Sequence, residues 1–254
     1  MTFSHASRGR LTTRDLGRFA GDTLFDRIAR AVCQAGCLPR KELYEAWEIA
    51  RRARRLFRGG RVVDFGGGHG LLAHVMLILD DSSPGALVVD KETPPCAIAL
   101  QDALVTAWPR LSGRVVRFEG DLEQVDLHSP DVVVASHACG RLTDVVIDRA
   151  CAAGASLAIL PCCHDLEACD AAGLEGWMDE ALAIDAVRAL RLRARGYRIW
   201  TQAIPAEITP KNRLLLAAPE QPVVKVWRCT ETGEAGMHRP SNAASLSPRA
   251  ATSG

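Results

Sequence analysis

The sequence predicts an α/β protein built on a mostly parallel sheet, and three observations carry that reading. At Val62-Val63-Asp64-Phe65-Gly66-Gly67-Gly68-His69-Gly70 an apolar run ends in an acid, enters a glycine-dense turn and gives way to the apolar segment Leu71 to Leu79. That is a strand, a tight loop and the start of a helix. From Arg61 onward such runs alternate with helical segments, which implies parallel strands with helices on both faces. Near the end, Tyr197 to Ile204 and Leu214 to Ala217 follow one another with no helix between them and read as a hairpin, so the last strand is antiparallel.

The elements follow in order. Leu24, Phe25, Ile28, Ala29 and Val32 recur at helical spacing and predict an amphipathic helix. Gly36 and Pro39 interrupt it, and Lys41 to Phe57 forms a second helix. That helix is acidic early (Glu42, Glu45, Glu48) and basic late (Arg51, Arg52, Arg54, Arg55, Arg58), which complements its dipole; an RNA-contacting face is the other reading. Strands are expected at Val62–Asp64, Leu87–Asp90, Val115–Phe118, Val132–Ala135 and Leu157–Leu160, and with the hairpin they make a seven-stranded sheet. A helix is expected at Asp179–Arg193. The organisation is then a flexible N-terminus (1–20), an N-terminal helical extension (21–58) and an α/β domain (59–220). Residues 230–254, rich in Ser, Ala, Pro and Gly and without periodicity, are expected to be disordered.

Composition bounds the function classes. With 254 residues, 48% of them hydrophobic, the chain can bury a substantial core as one α/β domain. A net charge of +1 gives no global pull toward nucleic acid or membrane. No apolar run reaches the roughly 18 residues of a membrane span. Nine cysteines, two of them adjacent, suit a reducing cytoplasmic setting better than a disulfide framework.

The glycine spacing narrows the ligand. A dinucleotide fingerprint, G-x-G-x-x-G, begun at Gly66 and Gly68 would need its third glycine where Leu71 stands, and no lysine follows to make a phosphate loop. The segment does match Asp-x-Gly-x-Gly-x-Gly at Asp64, Gly66, Gly68 and Gly70. This resembles the first motif of the Rossmann-like, class I methyltransferases that use S-adenosyl-L-methionine (SAM), and implies that these residues hold that cofactor. Asp90 ends the next strand at the spacing of a β-α-β unit and is the candidate acceptor for the ribose hydroxyls; a strand-terminating or capping role is the alternative. At the third strand the resemblance implies adenine contacts from Asp121 and Leu122, with a solvated turn as the alternative for Asp121.

The chemistry is expected at the carboxyl ends of the fourth and fifth strands, which the expected order makes neighbours. There His137, Cys139, Cys162, Cys163 and His164 converge, with Gly140, Thr143 and Asp144 beside them. His-x-Cys-Gly followed by Thr-Asp, then Pro-Cys-Cys-His, resembles one branch of SAM methyltransferases over about Leu24 to Pro219. That branch includes a tRNA 2′-O-methyltransferase family and several methyltransferase-like proteins; the separate zinc-finger module of the tRNA enzymes has no counterpart here. Three accounts of the cluster stand: a histidine base, His137 before His164; a soft metal site, although C-x-x-C spacing is absent; or small residues packing a tight pocket. No metal is assigned. Lys211, Asn212 and Arg213, in the hairpin loop, are expected to grip an anionic group of the substrate, or else to form a solvated tip.

The expectation is therefore a SAM-dependent methyltransferase acting on an unidentified acceptor, with RNA implied by resemblance and the oligomeric state left open. The other classes are a non-catalytic SAM-binding scaffold and an NAD(P)-dependent oxidoreductase.

Overall fold

A computed structural model describes residues 4–220. Residues 221–254, and with them the predicted tail 230–254, lie outside the described residues.

Two helices come first, α1 (Leu24–Ala35) and α2 (Arg40–Leu56). Strands and helices then alternate: β1 (Val62–Phe65), α3 (Leu71–Leu79), β2 (Ala86–Asp90), α4 (Ala97–Ala107), β3 (Val115–Glu119), β4 (Val132–Ala135), α5 (Arg141–Ala153) and β5 (Ser156–Ile159). Helix α6 (Glu180–Ala194) precedes the hairpin of β6 (Tyr197–Ala203) and β7 (Arg213–Pro219). The strands form one sheet in the order β3-β2-β1-β4-β5-β7-β6, with β7 antiparallel to both its neighbours. The order reverses between β1 and β4, and ligands of open α/β sheets bind in the crevice at such a switch point.

Strand periodicity divides the core. Val62, Val132, Val134 and Ala158 face one side, packed under α1 to α4, while Val63, Phe65, Val133, Leu157 and Ile159 face the other, under α5 and the end of α6. The central strands β1 and β4 are buried on both faces, which is why β4 reads as an unbroken apolar run and β1 as one interrupted only by Asp64.

Residues 4–20 differ from the expected flexible lead. Leu11 and Phe19 are buried, Thr13–Phe19 forms a 3-10 helix, and Leu11 N–H donates to Leu38 O at 2.9 Å. Burying two such side chains contributes about 1.5–3 kcal/mol each, a share of what orders the segment alongside its backbone hydrogen bonds. The basic run of α2 is likewise tied down. Arg54 is fully buried, donating to Met76 O and Ser83 Oγ, while Arg51 and Arg52 bond Glu48 and Arg58 donates to Leu79 O. These guanidinium groups serve the fold, while Arg55 and Arg58 remain exposed.

Candidate functional site

The site begins where β1 ends. Gly66, Gly68 and Gly70 have φ of 66°, 48° and 76°, the left-handed region that favours glycine. Gly67 is required for space: a Cβ there would lie 2.8 Å from both Asp64 Cγ and Val88 Cγ1. The loop is pinned from the neighbouring strands. Gly68 N–H donates to Asp90 Oδ2 at 2.9 Å, and Arg117 of β3 donates to the carbonyls of Gly68 (2.9 Å) and His69 (2.5 Å).

Asp64 lies beneath this loop, fully buried. Its Oδ2 accepts from Ala73 N–H at 3.2 Å in the first turn of α3, and its Oδ1 has no hydrogen-bond partner. Burial pushes its carboxyl up to about 7, against the pull of the Ala73 amide. An orphaned buried acceptor is costly unless a donor arrives.

Beside the loop, a cavity of about 190 Å³ is lined by Phe65, Gly66, Val89, Asp90, Asp121 and Leu122. The four expected nucleoside contacts (Gly66, Asp90, Asp121 and Leu122) thus share one concavity at the tips of β1, β2 and β3. On the other side of the loop, a small cavity lies between Gly67, His69, Ser136, His137, Glu42 and Glu45. A third cavity, of about 530 Å³, shares Glu42, Glu45 and His137 with it and extends to Cys139, Cys162, Cys163 and Lys211.

The structure brings together most of the residues at the strand tips. Cys139 Sγ lies 3.1 Å from Cys162 Sγ, and Cys162 Sγ lies 3.8 Å from Cys163 Sγ. Gly140 N–H donates to Cys163 O at 3.0 Å, lacing the two loops. Burial raises the thiols of Cys139 and Cys162, so neither is an activated thiolate. His137 Nε2 is 4.0 Å from Glu45 Oε2. Burial, reinforced by the Lys41 charge, holds the imidazole below its usual value.

His164 does not join them. Its side chain is 2% exposed, and Nε2–H donates to Asp185 Oδ1 of α6 at 2.8 Å. Arg213 is drawn to the same carboxylate, Nε to Oδ2 at 2.7 Å. Burial works against ionisation of Asp185, but His164 and Arg213 outweigh it and hold the carboxyl below its usual range. Of the three loop residues expected to grip substrate, Lys211 lines the 530 Å³ cavity, together with Ile208, Thr209 and Pro210; the Asn212 amide donates to Ile204 O at 2.8 Å and closes the turn.

The Thr-Asp pair has a structural role. The Thr143 hydroxyl donates to Ala138 O, and Asp144 accepts two bonds from Arg188, at 3.1 and 2.7 Å. Arg188, 1% exposed, also donates to Gly140 O at 3.0 Å, so one buried cation fixes the loop that carries His137 and Cys139.

Sequence reasoning missed the acids of α2. Glu45 is buried, with Lys41 Nζ 3.1 Å from its Oε1 and no partner for Oε2, and burial raises its carboxyl. Glu42 is pushed up to about 7 by burial and by Glu45. The signal was present as acids three residues apart on one helical face, but a dipole explains that spacing equally well.

Glycine cradle, the carboxylate at the tip of β2, orphaned acid and sheet order are those of the class I, SAM-dependent methyltransferase domain. Residues 41–169 match the model of a family described as a methyltransferase domain, and the chain belongs to that family. The match starts at Lys41 and so takes in α2 from its second residue, Glu42 and Glu45 included. Curated proteins give no match. Among solved structures, an O-methyltransferase family protein from Burkholderia thailandensis is similar at 19% identity, covering 85% of this chain and 66% of that one, with a TM-score of 0.48. A precorrin-6y C5,15-methyltransferase from Geobacter metallireducens is 12% identical, over 68% of this chain and 88% of that one, with a TM-score of 0.46. TrmK of M. capricolum, in complex with S-adenosyl-homocysteine, is 11% identical over 67% of this chain and 66% of that one, with a TM-score of 0.45. The chain spans just under two thirds of the length of the first and third of these.

Proposed function

We propose that the protein transfers a methyl group from SAM to an acceptor bound in the 530 Å³ cavity, with His137 as the base. The observation that carries this is the sharing of His137, Glu42 and Glu45 between that cavity and the small one against Gly67. A reacting centre would sit there, between cofactor and acceptor.

The residues present fit the cofactor. Asp64 Oδ1 offers an unpaired buried acceptor for an ammonium group, Gly66, Gly68 and Gly70 leave the backbone open, Asp90 keeps acceptor capacity for ribose hydroxyls, and Asp121 and Leu122 wall the adenine side. Bound there, SAM supplies a sulfonium-activated methyl group. The chain's own part is to align the acceptor and exclude water. His137, neutral because its imidazole is held below its usual value, accepts the acceptor's proton, and the nearby Glu45 carboxylate stabilises the imidazolium that results. Cys139, Cys162 and Cys163 wall the acceptor cavity, the first two with thiols that burial raises. His164 acts through Asp185 as a positioning residue for the loop after β5.

RNA is the acceptor class we infer. Support comes from the His-x-Cys-Gly and Pro-Cys-Cys-His resemblance and from Arg8, Lys41 and Lys211, which bring positive charge to the cavity. Incubation with radiolabelled SAM and fractionated extract, before and after ribonuclease treatment, tests it. Label that survives ribonuclease in a protein or small-molecule fraction rejects the RNA reading but keeps methyl transfer. No label in any fraction, despite calorimetric binding of SAM, would make the protein a scaffold.

A further inference from the structure

A second group of soft ligands lies apart from the thiols at the tips of β4 and β5. Cys37, His69 and Cys96 come from three separate segments: the α1–α2 junction, the glycine loop and the residue before α4. Their ligand atoms, two Sγ and one imidazole nitrogen, all lie within 4.8 Å of one another. Tetrahedral zinc, with bonds of about 2.3 Å to sulfur and about 2.0–2.1 Å to nitrogen, places its ligand atoms roughly 3.5–3.8 Å apart. Side-chain adjustments of about an ångström would close the set, with no rearrangement of the backbone.

The surroundings favour a structural ion. Cys37 is 6% exposed and Cys96 and His69 are half-buried, so the set faces the interior. Glu42 Oε2, 3.8 Å from His69 Nδ1, is the neighbouring oxygen donor for a fourth position. The His69 backbone is already fixed, its carbonyl accepting from Arg117. Two thiols and an imidazole are the donor set that zinc prefers over hard cations.

We propose that Cys37, His69 and Cys96 form a zinc site that fastens the N-terminal helices to the glycine loop. The ion links α1 and α2, whose acids reach the acceptor cavity, to the loop that cradles the cofactor. The inference does not depend on the identity of the acceptor or on methyl transfer itself.

The experiment uses the full chain with Cys139, Cys162 and Cys163 all changed to serine, which removes the other thiol cluster as a competitor. Titration with Co²⁺ is expected to give one ion per chain, with thiolate-to-cobalt charge-transfer absorption and the visible bands of a tetrahedral site. Adding Cys37→Ser or Cys96→Ser should abolish the charge-transfer band or weaken binding by more than the about 10- to 100-fold that loss of an outer-shell partner costs. His69→Ala should keep the charge-transfer band and shift the visible bands. Circular dichroism checks folding. Should a ligand variant fail to fold, alkylation of the wild-type chain mapped by mass spectrometry replaces it, with Zn²⁺ expected to protect Cys37 and Cys96. A charge-transfer band present in the wild type but lost from the triple-serine chain would overturn the proposal. So would equal alkylation of Cys37 and Cys96 with and without Zn²⁺.

Discussion

Asp64 gives the sharpest test of how the cofactor site is built. The carboxyl is fully buried with one oxygen unpaired, and its folded value stands at about 7 against an ordinary 3.8. A carboxyl raised on folding favours the folded state most at low pH, where it is protonated in both states. That contribution declines as pH rises, from about 4, where the unfolded chain ionises, to about 7, where the folded chain does. Above that it is constant. A shift of about three units at about 1.4 kcal/mol each amounts to about 4 kcal/mol over the window. In Asp64→Asn, an amide oxygen can still accept from Ala73 N–H while nothing ionises. The stability of Asp64→Asn relative to wild type should therefore rise by an amount on the order of 4 kcal/mol between pH 4 and 7 and then level off. Urea unfolding at a series of pH values measures it, and taking the difference between two proteins cancels every other titrating group. A difference that stays flat across the window would show that Asp64 is ionised in the fold and that its burial is balanced by a donor.

Further outcomes follow from the same geometry. Gly67→Ala pushes a methyl group against Asp64 and Val88, and should cost about 1–3 kcal/mol in urea unfolding and weaken S-adenosylhomocysteine binding in calorimetry. His137→Ala should slow transfer by about 10²–10⁴-fold while cofactor affinity holds. With the imidazole held below its usual value, the wild-type rate should be level near pH 7 and fall only below about 6.5. Arg188→Met strands Asp144 and should destabilise the fold by about 3–5 kcal/mol in the same unfolding assay. Lys211→Ala should raise the acceptor KM about tenfold, whereas Arg213→Ala, whose guanidinium serves Asp185, should leave that KM unchanged.

The fold was legible because its signals are local and repeated. β1 and β4 are buried on both faces and so read as apolar runs broken only by Asp64, and the glycines of the first loop stand where the backbone turns left-handed. Asp90 was legible for a similar reason, since a strand end and a fixed spacing placed it. His164 and Arg213 were not. Each sits beside residues that do line the cavity, and only the position of Asp185, on a helix far along the chain, decides that both turn away from it. Nothing in Pro-Cys-Cys-His separates the histidine that leaves from the cysteines that stay. The same holds for Asp144, whose partner Arg188 looks from sequence like any exposed helical arginine, and for Thr143, which bonds the Ala138 carbonyl.

Helix α2 makes the point in the opposite direction. Its charges were read as a dipole complement, and a helix on the surface would need no other account. Packed beside the carboxyl ends of the strands, it buries Glu45 with one oxygen unpaired and sets Glu42 between that carboxylate and His69. Burial raises the proton affinity of Glu45, and burial with the neighbouring Glu45 raises that of the half-buried Glu42, a cost that a purely structural helix would have no reason to carry. The placement makes sense if α2 forms one wall of the reacting centre. The family match beginning at Lys41, inside what sequence alone had set apart as an extension, agrees with that assignment. The decisive comparison is Glu45→Gln against Glu48→Gln. Both neutralise an acid of the same helix, so a structural role predicts a loss of stability from each, larger for Glu48→Gln because Glu48 holds Arg51 and Arg52, and no change in transfer rate from either. A site role predicts that only Glu45→Gln slows transfer, with cofactor binding unchanged; equal rates in the two variants would return α2 to the scaffold.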